Sequence, residues 1–106
     1  MEFKELETVG IVVVNRKDSK AGQYIGRGSI LGNKYLIGRD GTRSEVIELY
    51  RQWLWREVKA EKAVFGELKR LLKAWKRDGK LTLSCFCYPQ RCHGEVIGSC
   101  LAWMDK

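Results

Sequence analysis

Val9 to Val14 (VGIVVV) is a continuous apolar, β-branched run. It predicts a buried strand, central in a sheet. Polar Asn15, Arg16, Lys17 and Asp18 follow at its C-terminal end, where open α/β sheets place ligand contacts. Leu81 to Cys87 (LTLSCFC) is a second strong strand signal. Between them lie two weaker ones, Tyr24–Ile25 and Tyr35–Ile37, the latter closed by the turn residues Gly38-Arg39-Asp40-Gly41.

Helical periodicity begins at Thr42. Thr42 and Glu45 fit a capping box, and Val46, Ile47, Tyr50, Trp53, Leu54 and Val58 share one face. Trp55 falls off that face and is expected to be exposed, as part of a homodimer or partner surface. A second helix is expected from about Glu61 to Arg77, stopped by Gly79. Val64, Phe65, Leu68, Leu71, Leu72 and Trp75 form its apolar stripe; Lys62, Lys69, Arg70, Lys73, Lys76 and Arg77 form the opposite face. A last helix starts near His93 or Gly94, with Val96, Ile97, Cys100, Leu101 and Met104 inward.

Strand, short strands, two helices, strand, helix: this order predicts an α/β fold. The reading is a single α/β domain over residues 1–106, a small open sheet with parallel central strands and about three helices. Two strands separated by a helical crossover pair in parallel. That brings Asn15–Arg16 and Cys87 to one edge of the sheet.

Composition sharpens this picture only modestly. Lys and Arg number 20 against 13 Asp and Glu, a net charge of +7, which favours acidic partners. No apolar run approaches the ~20 residues of a membrane span, and the acidic MEFKELETVG start carries no signal-peptide core. A cytoplasmic protein without membrane association is expected, with its cysteines as thiols rather than disulfides.

Chemistry concentrates in Leu81–Trp103, which holds all four cysteines, the only proline and the only histidine. Zinc has four candidate ligands in Cys85, Cys87, Cys92 and His93. A C-x-C on a strand and an adjacent Cys-His pair are poor knuckle geometry, so no metal is expected. A thiolate is the second reading. Cys92 precedes a helix, whose free N–H groups and dipole acidify a thiol, and Arg91 and His93 flank it. On this reading Cys92 is partly accessible and more acidic than Cys85 or Cys100, and Cys92, His93 and Glu95 form the catalytic set, Glu95 being either a base or a helix cap. The third reading is passive: the helix N-terminus and the arginines bind a phosphate-bearing ligand. The glycine-rich stretch Ser19–Asn33 supports either of the last two, because glycines let backbone N–H groups approach an anion and Arg27 and Ser29 add donors. It lacks a dinucleotide fingerprint and a Walker lysine, so the cofactor, if the protein uses one, is unknown.

YIGRGSILGN (Tyr24–Asn33) and CFCYPQRCHGEVI (Cys85–Ile97) together resemble a domain-of-unknown-function family of phages, archaea and bacteria. Its members carry a first strand ending in Arg, a G-R-G-S-x-L-G-N block and a C-x-C-x-P-x-x-C-H-G motif. The spacing agrees from Val12 to Ile97. Lys34 stands where that family has Pro. The Cys-His tail is also similar to an uncharacterised family ending in Cys-His-Arg, although Gly94 follows His93 here. The resemblance implies a shared small α/β fold and a shared pocket, with no established activity.

These readings converge on a polar pocket at one sheet edge. Asn15, Arg16, Arg27, Ser29, Asn33, Cys87 and Arg91 are the expected ligand contacts. The expected ligand is a nucleotide or other phosphate-bearing small molecule, with cysteine-dependent transfer or hydrolysis as the reaction. The rival is a basic module that binds nucleic acid or a host protein through the second helix.

Overall fold

A computed structural model describes residues 1–106. Seven elements follow in order: α1 (Phe3–Thr8), β1 (Ile11–Asn15), β2 (Gln23–Tyr24), α2 (Arg43–Lys59), α3 (Ala63–Asp78), β3 (Leu81–Cys85) and α4 (His93–Met104). The sheet is parallel throughout, in the order β1-β3-β2. Ile11 pairs with Leu81 and Asn15 with Cys85; Tyr24 pairs with Ser84. The carboxyl ends of all three strands therefore meet at one edge.

Two expectations about the strands are corrected. The Val9–Val14 run forms an edge strand, and the central strand is β3. Ile11 and Val13 are buried and Val12 and Val14 only half-buried, so one face of β1 faces the core. The unbroken apolar run mimicked two-sided burial. Tyr35–Ile37 forms no strand beyond a single bridge between Ile37 and Gly41. There the Leu36 N–H donates to Asp40 Oδ2 at 2.7 Å, so a side chain takes the donor a ladder would have used.

The helices follow their patterns closely. Glu45 N–H donates to Thr42 Oγ1 at 3.3 Å and Thr42 N–H to Glu45 Oε1 at 2.9 Å, which is the capping box that starts α2. Gly79, at φ 71°, closes α3 by donating its N–H to the Trp75 carbonyl, in a left-handed conformation glycine adopts at little cost. α2, α3 and α4 pack on one another, with α3 and α4 against β3. Tyr50, Leu54, Leu68, Leu71, Leu83, Ile97 and Leu101 are almost wholly buried. The fourth helix, α1, is six residues long, too short to show periodicity. It buries Leu6, whose side chain occupies the space a Cβ on Gly98 would need.

Trp55 is not the exposed aromatic its position predicts. It is half-buried and packs edge-to-face on Trp103 of α4, ring centroids 4.7 Å apart. Trp103 is the more open partner, at 50% exposure. No helix is long and apolar enough to cross a membrane.

Candidate functional site

A cavity of about 160 Å³ lies at the carboxyl edge of the sheet. Three chain segments meet there. The loop after β2 brings Gly26, Arg27 and Asn33; the start of α2 brings Arg43, Val46 and Ile47; the segment from the end of β3 into α4 brings Cys85, Phe86, Cys87, Arg91, Cys92 and His93. Tyr24, Tyr35 and Ile37 complete the wall, and no aspartate or glutamate contributes to it.

The first segment is a tight loop. Ser29 N–H donates to the Gly26 carbonyl at 3.1 Å, and so does Ser29 Oγ, at 2.7 Å. A Cβ on Gly32 would lie 2.5 Å from the Gly26 carbonyl oxygen, so the loop closes this far only with glycine there. Arg27 Nη1 donates to the Asn33 carbonyl at 3.0 Å and has no carboxylate partner. Asn33 turns its own amide inward, donating to the Val46 carbonyl at 3.4 Å and accepting from Tyr35 N–H at 2.9 Å. The Tyr50 hydroxyl, on α2, donates to the Leu31 carbonyl at 2.7 Å inside the core and anchors the loop from below.

The third segment carries the thiols. β3 ends at Cys85, so Phe86 and Cys87 lie outside the ladder and are exposed, contrary to the expected strand to Cys87. Asn15 Nδ2 holds this stretch by donating to the Phe86 and Tyr88 carbonyls at 3.3 and 2.8 Å. All four cysteines are free. Cys85 and Cys92 are buried, with their sulfurs 3.5 Å apart. Cys92 is the N-cap of α4, accepting from Gly94 N–H at 3.4 Å.

Here the expectation for Cys92 is overturned. Cys92 is 3% exposed, and its thiol is pushed well above the ordinary range. The first cause is its hydrogen bond to Cys85, then that to Cys87, with burial adding to both. A proton shared with neighbouring sulfurs and shielded from water is costly to lose. The acidic thiol is Cys87. Hydrogen bonds from Cys85 and then Cys92 hold its thiolate well below the ordinary range against the opposing effect of burial, with His93 and Arg43 assisting. Cys100 behaves as a packed core thiol, pushed by burial to about 11.

His93 is buried against Tyr50, ring centroids 5.1 Å apart. Its Nε2 meets the Ile25 carbonyl; a carbonyl only accepts, so Nε2 carries the proton and Nδ1 is left as an acceptor. Burial lowers its pKa, which keeps the ring neutral. Glu95 is 5% exposed, accepts from Arg91 Nε at 3.2 Å and does not reach the cavity. Its place is the first turn of α4 and the Arg91 ion pair.

Of the expected contacts, Arg27, Asn33, Cys87, Arg91, Cys92 and His93 share one wall. Asn15, Arg16, Ser29 and Glu95 stand outside it. Arg16 does not line the cavity: its Nη1 donates to Ser84 Oγ at 3.1 Å and the guanidinium stacks over Tyr24 at 5.2 Å. Arg43 is the residue sequence reading missed. Its Nη1 donates to the Arg91 carbonyl at 3.0 Å and it reaches the Cys87 thiol, yet in the sequence it is only an ordinary charge in a first helical turn. No group of three or more His, Cys, Asp and Glu side chains is arranged to hold a metal ion.

The comparisons agree with the extent of this fold. A family described as Domain of unknown function (DUF4326) matches residues 13–103. An uncharacterised 12.4 kDa protein of Enterobacteria phage T4, from its nrdA-td intergenic region, is 33% identical over 86 residues, which is 80% of this chain and 71% of that protein. No solved structure matches. The α/β domain with its cysteine-lined edge thus belongs to the DUF4326 family, a domain of unknown function.

Proposed function

We propose that the carboxyl-edge cavity binds a phosphate-bearing small molecule, a nucleotide being the class that suits its aromatic wall, and that Cys87 is the nucleophile acting on it. The observation that carries this reading is the charge pattern of the wall. Arg27 and Arg43 have no carboxylate partner, and no acidic residue lines the cavity. Arg27 is exposed and Arg43 half-buried, so both guanidinium groups can offer charge-assisted hydrogen bonds to an anion. Tyr24, Tyr35 and Phe86 offer flat apolar surface for the remainder of the ligand.

In the step proposed, the Cys87 thiolate attacks an electrophilic centre beside the phosphate. A sulfur–substrate bond forms, and the bond to the leaving group breaks with its electron pair going to that group. Water or a second acceptor then displaces sulfur and restores the thiolate, its proton passing to the departed group. Neutral His93, with Nδ1 as acceptor, suits the second half of this cycle. Cys92 serves by donating to the Cys87 thiolate, a positioning role in place of the nucleophile its sequence position suggested.

The test is iodoacetamide labelling mapped by mass spectrometry. Cys87 is expected to label fast at pH 6–7 and to be protected by inorganic phosphate, pyrophosphate or nucleoside monophosphates. Protection without any product released from a nucleotide panel leaves a passive anion site. Absence of protection by every phosphate compound at millimolar concentration overturns the reading.

A further inference from the structure

Three of the four thiols share one cavity wall, and only one of them is open to solvent. Cys87 is exposed; Cys85 and Cys92 lie behind it, buried, with sulfurs 3.5 Å apart. A single nucleophile needs no second and third sulfur. An oxidisable thiol does, because a sulfenic acid with a thiol in reach condenses to a disulfide before it is oxidised further.

We infer that Cys87 is a site of reversible oxidation by hydroperoxides and that Cys92 is its resolving thiol, so that a Cys87–Cys92 disulfide closes the cavity's nucleophile. This rests on the assignment of Cys87 as the reactive thiol and adds a second chemistry to it.

Both steps balance. The Cys87 thiolate attacks the peroxide, the O–O bond breaks, and hydroxide leaves and takes a solvent proton; sulfur is oxidised by two electrons to the sulfenic acid and the peroxide is reduced to water or an alcohol. Cys92 sulfur then attacks Cys87 sulfur. The S–S bond forms, the S–O bond breaks, and the departing hydroxide takes the Cys92 proton as water. A dithiol reductant reverses the change by exchange.

Cys92 rather than Cys85 is the resolving partner because of its place. It caps α4, twelve residues long, with Gly94 N–H directed at its sulfur at 3.4 Å, a setting that stabilises a thiolate. What opposes ionisation of Cys92 in the reduced protein is first its hydrogen bond to Cys85, then that to the Cys87 sulfur, then burial. Conversion of Cys87 to a sulfenic acid removes the second of these. The second thiol is thereby easier to ionise once the first has been oxidised.

The chain suits a direct test, since trypsin cuts after Lys80 and Arg91 and separates Cys85 and Cys87 from Cys92 and Cys100. Reduced protein is treated with stoichiometric hydrogen peroxide, blocked with N-ethylmaleimide and digested without reductant. The expected product is a linked pair of peptides with the bond at Cys87 and Cys92, and Cys87 labelling falls about tenfold until dithiothreitol is added. The Cys92→Ser variant keeps a good helix cap, so it is expected to fold. In it Cys87 stops at a dimedone-trappable sulfenic acid or proceeds to the sulfinic acid, while Cys85→Ser still forms the link. Sulfinic Cys87 with no linked peptide in the unmutated protein overturns the inference, as does a link through Cys85. Phosphate protection of the reduced protein is measured in parallel. Protection without a disulfide sinks the relay alone, whereas a disulfide without protection sinks only the phosphate site.

Discussion

Two surfaces of this protein are rich in cations, and they differ in what the cations face. On the outer side of α3, Arg70 pairs with Glu67 at 2.7 Å, Lys76 with Asp105 at 2.9 Å, Arg77 with Asp78 at 2.9 Å and Lys62 with Glu57 at 3.6 Å. Lys69 lies over the Phe65 ring at 4.7 Å. Most of that charge is answered by neighbours in full contact with water, where screening is strong. At the carboxyl edge of the sheet, Arg27 and Arg43 bond to backbone carbonyls and have no carboxylate partner. A net charge of +7 is the excess of cations over anions; it does not say which cations remain available to a ligand.

The sharpest way to break the comparison is to remove the available pair. Arg27→Ala and Arg43→Ala together are expected to abolish phosphate protection of Cys87, each contributing about tenfold or more in affinity, since a charge-assisted hydrogen bond is worth about 1.5–3 kcal/mol. Labelling in a phosphate titration measures this. Unchanged protection would place the anion elsewhere.

A pH series sharpens the comparison from the side of the thiols. Burial keeps His93 neutral in the fold, whereas the unfolded ring takes up a proton below about pH 6.5. The unfolded chain then binds more protons than the native one, so stability falls as pH drops below that value. Cys87 acts in the same direction over a wider window, which begins higher and extends below that of His93. Its thiolate, held by Cys85 and Cys92, contributes fully above the unfolded thiol pKa of about 8.5, and the contribution is lost as pH falls below it. Urea midpoints are expected to rise from pH 5 to 8.5. His93→Gln should flatten only the part below about pH 6.5, whereas Cys87→Ser should reduce the slope across the whole range. A flat profile in the unmutated protein would refute both assignments.

Thr42→Ala probes how the available pair is mounted. It removes the hydroxyl that accepts from Glu45 N–H at the start of the helix carrying Arg43, and should cost about 1 kcal/mol in chemical denaturation, with weakened phosphate protection. The smallest effect belongs to α3. Lys69→Glu, Lys73→Glu and Lys76→Glu combined should leave stability within about 1 kcal/mol and phosphate protection unchanged. Nucleic-acid affinity present in the unmutated protein and absent in this variant would reverse the ranking of the two surfaces.

Local patterns carried much of this architecture into the sequence. The Thr42–Glu45 box, the stripe from Val64 to Trp75 and the stop at Gly79 are each satisfied within a few residues, so their signals are self-contained. Parallel pairing of the first and last strands followed from the helical crossover between them. Tertiary placement carried the rest. An apolar run such as Val9–Val14 reads the same whether a second strand or only water lies along its far edge. The end of β3 at Cys85 depends on Asn15, seventy-odd residues upstream, drawing the Phe86–Tyr88 backbone out of the ladder. That one displacement exchanged the roles of two cysteines, exposing Cys87 and leaving Cys92 beneath it. Arg16 and Arg43 traded places for a similar reason. Which face a side chain leaves from is decided by packing that their immediate neighbours do not report.

The Ile11–Leu81 pairing has a consequence in time. Every segment of the cavity wall meets only when β3 inserts between β1 and β2, and β1 is joined to β3 across most of the chain. Such long-range closure comes late in folding. Until then Cys87 has neither Cys85 and Cys92 gathered behind it nor Arg43 beside it, and is an ordinary, sluggish thiol. Reactivity toward an alkylating reagent at pH 6 is therefore a clock for the final assembly step, and a nascent or partly unfolded chain is chemically quiet.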